Sequence, residues 1–70
     1  MQDKIEAIRK AGFGIKFAEE VLAKAQAKAD NSNENVYICY DIDCIYYVYH
    51  SFLNMSDVVI THLEPANPLV

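Results

Sequence analysis

The sequence predicts an α+β domain in which two helices precede three strands (ααβββ), and three observations carry that expectation. Residues 15–29 hold an apolar stripe at helical spacing. From Val36 the pattern changes to runs of β-branched and aromatic residues. The glycines Gly12 and Gly14 lie before these segments and the prolines Pro65 and Pro68 after them. Breaks inside therefore fall to Asn, Asp and Ser.

The first helix is expected over residues 2–11, where Ile5 and Ile8 stand three apart and Glu6 with Lys10 forms a favourable i, i+4 pair. Gly12-Phe13-Gly14 permits a bend, since glycine adopts unusual backbone conformations at little steric cost. The second helix, residues 15–29, places Ile15, Ala18, Val21, Leu22, Ala25 and Ala29 on one stripe with Phe17 at its edge. Lys16, Glu19, Glu20, Lys24, Gln26 and Lys28 take the opposite face. The run DNSNEN, residues 30–35, is read as the loop that ends this helix, because Asn tolerates the left-handed conformation.

Strands are expected over residues 36–40, 45–49 and 57–63, with a connector HSFLNMS between the second and third and a loose tail at 65–70. The first two form a hairpin around Asp41-Ile42-Asp43, and consecutive pairing gives a three-stranded antiparallel meander with the helices packed on one face. Register stays open. A two-residue loop at Ile42 and Asp43 groups Val36, Ile38, Tyr40, Ile45, Tyr47 and Tyr49 on one face, whereas a three-residue loop groups Val36, Ile38 and Tyr40 with Cys44, Tyr46 and Val48. A third register, with residues 40–43 as the loop, sets Cys39 opposite Cys44 within reach of a disulfide.

Seventy residues make a single domain, and a chain of this length often leans on a disulfide, a metal or a second subunit. Hydrophobic residues at 53% argue against disorder. Charge is divided along the chain: Lys4, Arg9, Lys10, Lys16, Lys24 and Lys28 are all the cations there are, and beyond position 28 the sequence has carboxylates only. The net charge of −4 weighs against direct nucleic-acid binding, which requires clustered Lys and Arg to displace counterions. No apolar stretch is long enough to cross a bilayer and no apolar leader opens the chain, so a cytoplasmic protein with reduced Cys39 and Cys44 is expected.

No catalytic or metal motif stands out. Cys39 and Cys44 have only His50 and His62 as companions for zinc, without the close spacing of structural sites, and Asp41 and Asp43 lack further oxygen ligands. A Cys with a His and an Asp occurs here without a Gly-rich oxyanion or phosphate loop. We therefore expect a non-enzymatic protein without a cofactor. The second helix meets solvent early with Glu19 and Glu20, which is unlike a DNA-recognition helix.

What does stand out is the stretch NVYICYDIDCIYYVYH, where all five tyrosines fall among carboxylates. Tyr37, Tyr40, Tyr46, Tyr47 and Tyr49 with Asp41 and Asp43 are the candidate partner-binding residues, since aromatic rings anchor interfaces and carboxylates project a field toward a basic surface. In size and charge the chain resembles the small inhibitors that phages and mobile elements direct against host defence, anti-CRISPR proteins among them. The resemblance implies an acidic protein that competes for the basic groove in which a host protein holds nucleic acid. The competing expectation is a homodimeric accessory or regulatory domain whose tyrosine-rich sheet face is the dimer interface.

Overall fold

The computed structural model describes residues 2–42 and 44–66; Asp43 and residues 67–70 of the expected tail lie outside them. Helix α1 spans Gln2–Lys10 and α2 spans Ile15–Ser32, followed by strands β1 (Val36–Asp41), β2 (Cys44–Tyr49) and β3 (Val59–Leu63). Between the helices Gly12 takes φ of 105°, a left-handed conformation that a side chain would strain. Phe13, beside it, turns inward, stacking on Phe17 at 5.2 Å and meeting Tyr40 edge-on at 6.0 Å.

Helix α2 runs three residues past its expected end. The Ser32 hydroxyl donates back to Lys28 O, and Asn33, at φ 56°, closes the helix with its N–H on Ala29 O at 2.8 Å. The left-handed cap expected of the Asn-rich run is present, but one turn later. Ala18, Val21, Leu22, Ala25 and Ala29 are buried as the stripe requires, and the small alanines let the helix lie close to the sheet. Ile15 departs from the stripe and is half exposed.

All three strands pair antiparallel, in the order β2-β1-β3. The meander is thereby corrected: β3 joins β1, not β2. Two physical reasons apply. The connector is too long for a hairpin, whose loops usually have about two to five residues. β1 is also the most completely buried strand, with Val36, Ile38 and Cys39 all inaccessible to solvent, so the central place falls to it.

The hairpin adopts the two-residue loop, Asp41 pairing with Cys44 and Cys39 with Tyr46. Val36, Ile38, Tyr40, Ile45, Tyr47 and Tyr49 therefore face the helices, where Ile8, Val21, Leu22 and Leu63 complete the core. Ile42 takes φ of 56° in the loop, a conformation unfavourable to a β-branched residue. On the other flank the register slips by one residue between Ile38 and Cys39, a bulge that leaves Ile60 unpaired and packed on the core.

Candidate interaction face

β2 and β3 run parallel to one another on either side of β1, so residues 50–58 must travel the length of the sheet and cross β1 to join them. The helices occupy one face. The connection takes the other as a strap. It begins with a short 3₁₀ turn, His50–Phe52, tied to the start of β1 by His50 N–H on Asn35 O and by Ser51 N–H on the Glu34 carboxylate. It ends with Tyr40 N–H on Val58 O at 2.9 Å, beside the far end of β1.

Side chains of the sheet hold the strap down along the way. The Tyr37 ring lies between the imidazoles of His50 and His62, with centroid distances of 5.8 and 5.5 Å, and its hydroxyl meets His50 Nδ1 at 3.0 Å. The Tyr46 hydroxyl donates to Asp57 Oδ1 at 2.8 Å. Asp57 Oδ2 accepts from Asn54 N–H, and Asn54 Oδ1 from Ser56 N–H, which folds the strap back on itself at Met55. Beneath it, Cys39 is fully buried.

These contacts shape the acid–base character of the face. The hydrogen bond to Asp57, followed by burial and by the charge of Asp57, pushes the Tyr46 phenol up to about 12. Burial first, and Asp57 second, push the Cys39 thiol up, partly offset by the Tyr46 hydrogen bond. A thiol held protonated is a poor nucleophile. Burial likewise raises the Tyr47 phenol on the helix side. Cys44 is exposed at the turn, and since Cys39 pairs with Tyr46 the register that would set the two cysteines opposite each other is not adopted. Among the described residues no cluster of three or more His, Cys, Asp or Glu has the arrangement of a metal site, and no helix is long and apolar enough to cross a membrane.

The expected partner-binding set divides between the two faces. Tyr37, Tyr46 and Asp41 come together on the strapped face. Tyr40, Tyr47 and Tyr49 turn toward the helices, half-buried, with Lys28 Nζ 5.4 Å from the Tyr47 ring centroid. Asp43 lies outside the described residues. The strap also rests between Tyr37, Tyr46 and any molecule approaching that face, so a dimer formed directly through the tyrosines would have to lift it.

The outer surface of the strap is apolar, which sequence reasoning passed over. Phe52 is 77% exposed, Met55 fully so, Val58 60%, and Leu53 and the adjoining Val59 are exposed too. A signal was present: a loop between strands is ordinarily polar, and this one carries Phe, Leu and Met. No protein-family model, curated protein or solved structure matches the chain.

Proposed function

We propose that the protein is a non-enzymatic, acidic binding module that docks on the basic surface of a nucleic-acid-binding protein, in the manner of the small anti-defence inhibitors it resembles in size and charge. One observation carries the reading: Phe52, Leu53, Met55 and Val58 are exposed on a strap fastened to strands that themselves contain no Lys or Arg, with Lys4 reaching the sheet at the His62 carbonyl. Glu34 and Asp41 lie beside the strap on the sheet side, and Asp57 is within it. An apolar centre within a negative field is the arrangement that a basic groove with hydrophobic floor would complement. The strap residues supply desolvated anchors, and the carboxylates stand where phosphates of a displaced nucleic acid would lie.

Tyr37 and Tyr46 act in this reading as supports. They hold the strap in one conformation before binding, which lowers the ordering cost of association. Immobilised protein exposed to nuclease-treated lysate should capture a nucleic-acid-binding protein that the captured protein's own nucleic acid displaces. Capture should weaken by on the order of tenfold as salt rises from low to above physiological, through slower association. Phe52→Ser with Met55→Ser should leave the fold intact and cost about 2 kcal/mol or more in affinity, read as faster dissociation. Capture indifferent to salt, to competing nucleic acid and to both substitutions would sink the reading.

A further inference from the structure

The outer edge of β2 is chemically unfinished. A two-residue loop closes on Asp41 and Cys44 as a hydrogen-bonded pair, and bonded pairs alternate from there. Cys44, Tyr46 and Val48 thus direct their backbone groups to β1. The same alternation sends those of Val36, Ile38 and Tyr40 toward β3, and Tyr40 N–H does donate to Val58 O there. Ile45 and Tyr47 therefore direct both backbone groups, and Tyr49 its N–H, away from the sheet, and no described residue hydrogen-bonds them.

Edge strands in monomers are normally blunted by Lys, Pro, a bulge or a covering loop. The β3 edge has its bulge. β2 has none of these devices: CIYYVY contains no charge, no Pro and no Gly, and its ladder to β1 is unbroken over six residues.

We infer that β2 is a dimerisation edge, on which a second copy of this chain pairs antiparallel to make one continuous six-stranded sheet. Backbone alternation selects the register. With Tyr47 on the two-fold axis, Tyr47 N–H and C=O bond reciprocally to the partner's Tyr47, and Tyr49 N–H bonds the partner's Ile45 C=O and the reverse. Side chains then match: Ile45 meets Tyr49 across the helix-side face, and Tyr46 meets Val48 across the other, both being aromatic with β-branched pairs. The charge pattern favours a second copy over a foreign basic strand. β2 holds no carboxylate to receive a cation, and two molecules of net charge −4 meet here along an uncharged strip beside Lys28. A two-fold axis normal to the sheet leaves both straps on one side, giving a bivalent surface without altering either.

The deciding experiment combines mass in solution with amide exchange. The expected result is a species of twice 7.9 kDa in concentrated samples, strengthened by salt because repulsion is screened, the opposite of the dependence expected for a basic partner. In that species the amides of Ile45, Tyr47 and Tyr49 should exchange at least about tenfold more slowly than in diluted monomer, while those of Tyr46 and Val48 stay protected in both. A chemically assembled chain with N-methyl-tyrosine at position 47 should keep the wild-type circular dichroism and remain monomeric, because only the outward donor is lost. A monomer at every concentration, or a dimer in which those three amides exchange as freely as in the monomer, overturns the inference.

Discussion

Tyr46 shows how a single side chain on this sheet acquires a role that its residue type does not announce. Its hydroxyl donates to Asp57 and so fastens a connection eleven residues away. The carboxylate stabilises the neutral phenol and opposes the phenolate, which is why the group is pushed up to about 12. The sign for stability follows. A folded value above the unfolded one, near 10, means that the contribution is complete below pH 10 and is lost as pH rises from 10 to 12. Absorbance titration should accordingly show Tyr46 among the last tyrosines to ionise, and Tyr46→Phe should remove that late step and flatten the fall in stability across the same window. A late-ionising fraction unchanged in the Phe variant would mean that the Asp57 contact does not form in solution.

The hairpin is an element whose sequence disagrees with its geometry at one point. Asp41↔Cys44 pairing demands a two-residue turn, and such turns require left-handed backbone that Asn or Gly accepts readily. Ile42 sits at φ 56° instead, with its side chain 78% exposed and no packing to compensate. Ile42→Asn should therefore raise stability by about 1 kcal/mol in denaturant melts without changing the register. A loss of stability would show that the side chain has a packing role in the hairpin.

Taken whole, the molecule is a slab of 37 × 26 × 15 Å, thin enough for one layer of core between helices and sheet. Everything that folds does so around that layer, where Leu22 lies 5% exposed among Ile8, Val21, Val36, Ile38 and Leu63. With so small a core there is no second one to hold a partly folded state, and unfolding should be a single cooperative event. Leu22→Ala should then lower the stability of the entire domain by about 2 to 4 kcal/mol. Coincident loss of helix and sheet signals checks the cooperativity, and a change below about half a kcal/mol would place Leu22 outside the core.

The element order, the buried stripe of α2 and the charge division were legible in the chain because each is local: helical and strand periods repeat over a few residues, and charges count themselves. Where a helix stops, how the hairpin registers and which strand takes the centre are not local. Ser32 and Asn33 could have begun a loop or ended a helix, and the outcome depends on Ala29 being packed below them. Likewise Tyr37, Tyr46 and Asp57 stand apart in sequence, and only the β2-β1-β3 order brings the strap over the first two. The candidate surface was legible as a composition, tyrosine and carboxylate, but its exposed members Phe52, Met55 and Val58 emerge once the sheet engages the strap's polar groups and turns these apolar ones to solvent. Composition describes what a chain contains; which side of it faces water is decided by long-range strand pairing, whose energetics lie in contacts between residues that no short window includes.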